Sequence, residues 1–466
     1  MTEELIPEPD TRPPLNEQQQ EGYKQMMEFL NSKERDQIFL LKGYAGTGKT
    51  FLISRVFEDI STDSNAHPRR YIRIAMTAPT NKAVRVLRDS SRLPDAEYRT
   101  IHSLLGLKES ITESGQIEFI KSFDENNDIR SFYAVVIDEV SMLQDDLFEE
   151  IKRYVNDVKI ILMGDPAQIP PVGKTDCEPF LNPEKHGIIE FQLTQIMRQA
   201  DGSNIILNGF RIREDLYNAD IELKSGNDVK LYDPNYQRDL IRSEFITTYT
   251  NNPDITDKTK TIAWTNQKVD AYNNYIREFV FGQNLPKIVN GERLVINMPY
   301  RSNFQEATDD DDAETKNFEM LTINQEVTVI SSEIREMEAR MGTFKLYIAT
   351  IKFQSGLGEE KEGRIKILHE DEQQRYEQIL RSLQQQAKSA DIKQRKQKWS
   401  YFWKVNRQFC NVSYAYAITA HKSQGSTYEK TFIDVGNIQL NRNVYERNRI
   451  LYTAITRAKK EVILIS

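Results

Sequence analysis

The stretch GYAGTGKT, residues 43–50, decides the fold. It follows an apolar run at 38–41 and precedes Ile53, Val56, Phe57 and Ile60, apolar positions at helical spacing. Strand, glycine-rich turn and helix in that order, with G-x-x-x-x-G-K-[ST] at the turn, form the local pattern of a phosphate-binding loop. Small residues let successive backbone N–H groups face phosphate oxygens, the helix N-terminus adds partial positive charge, and Lys49 adds a full one. On this reading Gly43, Tyr44, Ala45, Gly46, Thr47, Gly48, Lys49 and Thr50 cradle a nucleotide, and the Thr50 hydroxyl holds Mg2+. The bland alternative is a glycine-rich turn that only caps a helix.

Outward from this stretch, strand and helix patterns alternate. Tyr23, Met26, Met27 and Leu30 recur at helical spacing behind Asn16 and Gln19, which can form a capping box, and predict a helix over 17–31. Strands are expected near 71–77, 133–137 and 158–163, with helices over 81–90 and 145–155. A second alternating block spans 201–295 and resumes at 408, with strands near 261–264, 431–435 and 462–465. Such alternation implies an α/β protein with mostly parallel sheets.

Two inserts break the pattern. Residues 104–130 contain ITESGQIEFI, two β-like runs around a Ser-Gly turn, readable as a hairpin. Residues 296–407 open with β-rich segments near 325–330 and 344–353, carry the acidic loop DDDDAE at 309–314, and end in a polar helical stretch. The second insert reads as a small β module with a helical arm.

Composition bounds the rest. A chain of 466 residues is expected to hold about three domains. With 39% hydrophobic and 28% charged residues it is too apolar to be disordered throughout. No run approaches the ~20 apolar residues of a membrane helix, and the proline-rich acidic start (1–14, read as a leader) lacks the features of a signal peptide. A cytoplasmic protein with no membrane partner is expected. Two distant cysteines and five scattered histidines offer neither a disulfide framework nor zinc spacing. The net charge of −8 taken alone argues against nucleic acid.

Two further strands end in polar residues suited to phosphoryl chemistry. AVVIDEVSM (134–142) delivers Asp138 and Glu139 to the carboxyl end of an apolar strand, where α/β folds place their sites. Asp138 would hold Mg2+ through water, and Glu139 would orient and deprotonate an attacking water. In ILMGDPAQIPPVG (161–173), Gln168 is either a sensor of the γ-phosphate or part of a rigid proline turn.

In chain order GYAGTGKT, TAPTNKAV (77–84), RTIHSLLG (99–106), VVIDEVSM, ILMGDPAQIPPVG, QLTQIMRQ (192–199), IAWTNQKVDAYN (262–273), ITAHKSQGSTYEK (418–430) and LYTAITRAKKEV (451–462) follow one another. This series resembles the motif set of superfamily 1 helicases, particularly the RecD-like 5′-to-3′ branch (superfamily 1B). The resemblance implies two RecA-like P-loop NTPase domains with ATP between them. They would span 15–200, with a pin insert at 104–130, and 201–295 plus 408–466; residues 296–407 would form an SH3-like domain with its arm. By the same resemblance Gln19 in LNEQQ contacts adenine, Arg198 and Arg457 approach the γ-phosphate from either side, and Gln424 and Gly425 lie near the nucleotide.

For DNA, the resemblance selects Pro79, Thr80, Asn81, Thr100 and His102 in the first domain, and Thr265, Asn266, Thr419, His421 and Lys422 in the second. These are mostly neutral donors, which grip a backbone without reading sequence. His102 and His421 have packed structural roles as their alternative. Phe119 is the candidate for stacking on a terminal base pair, against ordinary cross-strand packing. The stretch 388–407 holds seven basic residues and one acidic, interleaved with Trp399, Tyr401, Phe402 and Trp403. It suits single-stranded nucleic acid or a helix docked on the β module. The expected activity is an ATP- and Mg2+-dependent, monomer-capable DNA helicase acting on single-stranded DNA and on junctions with duplex, with replication or single-strand-binding proteins as further partners. The alternatives are a DNA-stimulated translocase that displaces proteins without strand separation, and an ATP-switched nucleic-acid clamp.

Overall fold

A computed structural model describes residues 12–34, 37–62, 72–121, 129–171, 173–196, 202–250, 255–303, 318–355 and 358–466. Most of the expected leader, the acidic loop 309–314 and Arg198 lie outside the described residues. The first sheet has six parallel strands in the order Ala96–Thr100, Ile74–Ala78, Ala134–Ile137, Lys159–Gly164, Ile38–Gly43, Ile188–Leu193. Its central strands are buried on both faces, which is why they read as unbroken apolar runs. The helices Glu17–Asn31 and Lys49–Thr62 contribute Met26, Phe29, Leu52, Val56 and Phe57 to the core on one face. The capping box forms as expected: Asn16 accepts from the Gln19 amide, and the Gln19 side chain accepts from Asn16.

The second sheet is also parallel, in the order Ala417–Thr419, Thr259–Ala263, Tyr428–Asp434, Ala458–Ile465, Val229–Tyr232. Four strands were not expected: Ala96–Thr100 and Ile188–Leu193 at the edges of the first sheet, and Val229–Tyr232 and Ala417–Thr419 at the edges of the second. Edge strands are short or half-exposed, so polar residues interrupt the apolar signal.

The hairpin Leu107–Ile111/Ile117–Lys121 forms around the Ser-Gly turn. The β module is a seven-stranded antiparallel sheet reaching from Arg293–Ile296 to Val412–Tyr414. It therefore extends past 296–407 at both ends, because its first and last strands pair with each other. The arm consists of the helices Gln373–Ser389 and Ile392–Asn406. Its aromatic face is divided. Phe402 packs on the β module beside Phe344 and Tyr376, whereas Trp399 lies against Gly115 at the hairpin turn and Trp403 Nε1 donates to the Gly115 carbonyl at 3.2 Å. Gly115 has φ +82°, and a Cβ there would meet the Trp399 ring at 2.2 Å, so only glycine serves both the turn and the contact. Arg407 pairs with Glu109 of the hairpin at 2.7 Å.

A buried ionic junction ties the three units together. The Glu326 carboxylate of the β module lies 2.9 Å from Lys260 of the second sheet, 3.5 Å from Lys82 of the first domain, and 3.6 Å from Arg293. Burial would raise the pKa of Glu326, but Lys260, Lys82 and Arg293 hold it down at about 2. Lys260 is wholly buried, and that burial outweighs Glu326 and lowers it to about 8. Lys82 is opposed by burial too, yet Tyr428 and Glu326 raise it above its ordinary value. Breaking a buried pair from one side leaves an uncompensated charge. Glu326→Gln is expected to destabilise the protein by about 3 kcal/mol, read as a lower urea midpoint, whereas Glu338→Gln on an exposed stretch of the same strand should leave it unchanged.

Candidate functional site

The site forms where three adjacent strands of the first sheet end. Ile38–Gly43 runs into the glycine loop, in which Gly46 and Gly48 adopt φ +82° and +86°. These angles turn the backbone back on itself, and the helix Lys49–Thr62 starts at once. A Cβ on Gly43 would meet Thr47 Oγ1 at 2.7 Å, so the loop closes only over glycine. Lys49 Nζ donates to the carbonyls of Gly43 at 2.6 Å and Tyr44 at 3.2 Å, which poises the ammonium over the loop it would share with a phosphate.

Gln19 is fully buried behind this loop. Its oxygen caps the helix at Asn16, and its amide donates to the Thr47 carbonyl at 3.3 Å. Both halves of the side chain are engaged, so the described geometry makes Gln19 a brace of the phosphate loop. In front of the loop, Arg213 of the second domain lies over the Tyr44 ring at 3.6 Å from its centroid. A cavity of about 530 Å³ opens beside them, lined by Ala45, Arg213, Asp228, Tyr452 and Lys459 among others.

Asp138 and Glu139 follow the strand Ala134–Ile137. Glu139 sits at φ 54°, ψ 42°, a left-handed conformation that costs a non-glycine residue about 1 kcal/mol or more. Its amide donates to Asp138 Oδ1 at 2.8 Å, fixing the first carboxylate. Burial raises the Asp138 pKa, against the pull of Lys49. For Glu139, burial and then the Asp138 charge raise it well above the usual carboxylate range, with Asp165 adding to the rise and Arg457 and Lys49 opposing it. A carboxylate so placed has the basicity to take a proton from water near neutral pH.

Gln168, on the loop after Lys159–Gly164, joins the two domains. With its amide nitrogen toward Glu139, it donates to Glu139 Oε2 at 3.2 Å while its oxygen accepts from Arg457 Nη2 at 3.2 Å. Arg457 is buried, and its other nitrogens donate to the carbonyls of Thr453 at 3.0 Å and Ser426 at 3.2 Å. Gln424 and Gly425 have their described contacts elsewhere than the glycine loop. Gln424 donates to the Ile169 carbonyl at 2.8 Å, and a Cβ on Gly425 would meet Ala83 at 2.8 Å, so both seal the domain boundary.

Three residues of the second domain were missed by sequence reasoning. Arg449 is fully buried and donates to the carbonyls of Gln168 at 2.5 Å and Thr175 at 2.9 Å, and to Asp176 at 3.1 Å. Thr453 accepts the Ile169 amide at 3.2 Å, and Tyr452 bonds Asp165. All three sit in the helix Val444–Ile455, whose apolar spacing reads only as core.

The DNA candidates fall into equivalent places in the two domains. Thr80, Thr100, Thr265 and Thr419 each cap a helix start, accepting from Ala83, Ser103, Lys268 and Lys422. Pro79 and Asn81 flank the first cap, Asn266 follows the third, and Lys422 Nζ donates to Asn297 of the β module at 3.3 Å. Burial lowers the pKa values of His102, His421 and Lys422. The His102 ring lies 4.4 Å from that of Phe119, which is half-exposed on the hairpin opposite Glu109.

Among known proteins, residues 14–226 match the model of an AAA domain, 286–413 that of the Dda helicase SH3 domain, and 414–465 that of the UvrD-like helicase C-terminal domain. The ATP-dependent DNA helicase dda of Enterobacteria phage T4 is 26% identical over 464 residues, covering 97% of this chain and 99% of its own. An uncharacterised protein of Acanthamoeba polyphaga mimivirus is 27% identical over 495 residues, covering 96% of this chain and 99% of its own. The ATP-dependent DNA helicase PIF1 of Emericella nidulans is 30% identical over 153 residues, covering 30% of this chain and 19% of its own.

The pKa of Glu139 is raised in the folded state. The folded state binds this proton more tightly than the unfolded chain, so the stability Glu139 contributes falls as pH rises from the ordinary glutamate value toward the raised one. A general base at Glu139 would act in its ionised form. The acidic limb of kcat/KM is therefore expected well above ~4.3, the ordinary glutamate value. Asp165→Asn, which removes a like charge, should move that limb to lower pH in the rate profile; a shift to higher pH would contradict the assignment.

Proposed function

The chain belongs to the superfamily 1B helicases of the Dda and Pif1 type, and we infer that it is an ATP-dependent DNA helicase that moves 5′ to 3′ on single-stranded DNA and unwinds duplex. The observation that carries this reading is the chain Glu139–Gln168–Arg457, which links the water-activating carboxylate of one domain to a cation of the other. A nucleotide held between the domains is hydrolysed only when both contribute.

The residues divide the work as follows. The glycine loop and Lys49 bind the triphosphate, and Glu139 takes the proton from the attacking water. Thr50 and Asp138 offer a hydroxyl and a carboxylate, the hard oxygen donors suited to Mg2+, which when bound supplies positive charge to the phosphate oxygens. Gln168 orients against Glu139, and Arg457 sets a planar, permanently charged group toward the phosphoryl oxygens. Arg198 would add its charge from the first domain by the family pattern. Closure on ATP and opening on product release alternate the grip of the two domains.

The grip itself is built on the four capping threonines. Each helix start presents backbone N–H groups and a hydroxyl that suit phosphate without base readout. Their repetition in both domains supports one strand crossing both. His102, its ring tilted against Phe119, would connect that strand to the hairpin, which serves as the pin, with the arm bracing its turn through Trp399 and Trp403.

Lys49→Ala is expected to abolish ATP hydrolysis, measured as phosphate release, while single-stranded DNA binding by fluorescence anisotropy stays within about threefold of the parent. Duplexes with a 5′ single-stranded tail should be unwound and those with only a 3′ tail should not; the reverse pattern would overturn the stated direction.

A further inference from the structure

One hydroxyl of the second domain reaches the phosphate loop. Tyr452 is buried on the helix Val444–Ile455, and its hydroxyl donates to Asp165 Oδ2 at 2.6 Å. The same carboxylate oxygen accepts the Ala45 amide of the glycine loop at 3.1 Å, while Asp165 Oδ1 is taken by the Ala167 amide at 2.9 Å. The Ala45 amide also lies 3.5 Å from the Tyr452 oxygen. A phenol of one domain and a peptide N–H of the other thus share one buried acceptor.

Tyr452 takes no part in the chemistry described above; Asp165 enters it only through the charge it sets near Glu139, and Ala45 only as part of the phosphate loop. Asp165 is itself buried, at 1% exposure, so the hydrogen bonds it accepts are what make its charge tolerable there. Burial and the adjacent Asp165 carboxylate hold the Tyr452 phenol protonated, well above its ordinary value. The hydroxyl therefore remains a donor across the working pH range. If the second domain withdraws, Asp165 loses its phenol and the Ala45 segment loses the outer half of its anchor. Hydrophobic packing of the Tyr452 ring does not need that hydroxyl, so the bond is separable from the core.

We propose that Tyr452 is a positioning residue that, through Asp165, lets the placement of the second domain set the conformation of the phosphate loop at Ala45. The proposal rests on the ATP-dependent helicase reading. It assigns a route by which closure is felt on the binding side of the site, distinct from the delivery of Arg457. The loop is held in its productive form only while the hydroxyl is home.

Tyr452→Phe keeps the ring and deletes the hydroxyl. In the full-length protein the single-stranded-DNA-stimulated kcat for ATP should fall about tenfold while the ATP KM moves less than about threefold. Rates are normalised to the fraction of protein that binds nucleotide, so partial unfolding does not mimic the effect. Asp165→Asn leaves one acceptor oxygen where two are needed and should also lower kcat. The double variant should be no slower than the slower single one, because both changes delete the same bond. A Tyr452→Phe protein with parental kcat, a loss confined to KM, or full additivity in the double variant each overturns the proposal. Parental protein assayed with and without DNA separates the two levels: a rate indifferent to DNA overturns the helicase reading and this inference with it, whereas stimulation equal in parent and variant overturns this inference alone.

Discussion

The arrangement depends on one loop of the first domain being completed by side chains of the second. The loop after Lys159–Gly164 carries Asp165, Gln168, Ile169 and Thr175, and four of its described backbone groups are satisfied from across the boundary. Arg449 takes the Gln168 and Thr175 carbonyls, Thr453 the Ile169 amide, and Gln424 the Ile169 carbonyl. A buried peptide group without a partner costs about 1–3 kcal/mol, so this loop and the second domain specify each other's position. Arg449 makes the constraint sharper. Its guanidinium is wholly buried and its charge is tolerated because Asp176 and the two carbonyls meet its donors.

From that fixed contact the rest of the site follows. Holding the loop places Gln168 between Glu139 and Arg457, and holding the helix Val444–Ile455 places both Arg457 and Tyr452. The strain at Glu139 fits the same logic: a left-handed glutamate persists only where its surroundings over-determine it, here through the Asp138 bond and the packing of Val140. The β module is held by different chemistry. Glu326 gathers cations from both motor domains, so a movement of either domain must re-partner Lys82 or Lys260 in a low-dielectric setting. The hairpin is tied to the arm by two indoles at its Gly115 turn and by the Arg407–Glu109 ion pair along its strand, and to the first domain through the Phe119–His102 and Lys121–Tyr154 contacts.

What the sequence made legible was whatever local physics decides. Strands buried on both faces are apolar runs, and a glycine loop between strand and helix has one economical use, so the two α/β domains and the main catalytic candidates could be placed. Edge strands such as Ala96–Thr100 and Ile188–Leu193 could not, because their half-exposed faces carry Glu97, Arg99, Glu190 and Gln192. Arg449 and Tyr452 were hidden for the opposite reason: their spacing satisfies a buried helix face, and only the partner domain reveals that their polar ends are engaged. Gln19 and Gln424 show the same limit, since an amide can serve a ligand or a carbonyl and the residue type does not say which. The aromatic run at 388–407 posed a choice between nucleic acid and the β module, but the chain divides it, giving Phe402 to the module and Trp399 and Trp403 to the hairpin.

The negative charge of the chain sets a final constraint on how it can hold a polyanion. With a net charge of −8, bulk attraction does not draw DNA to this surface, so the grip must be local. In the proposed reading such a grip comes from the four capping threonines, whose hydroxyls and neighbouring amides need no excess of lysine or arginine. In the basic run at 388–407, Arg407 pairs with Glu109, and Trp399 and Trp403 pack on the hairpin. A track held by neutral donors releases few counterions at each step, so the energy needed to let go of one phosphate and take the next stays small.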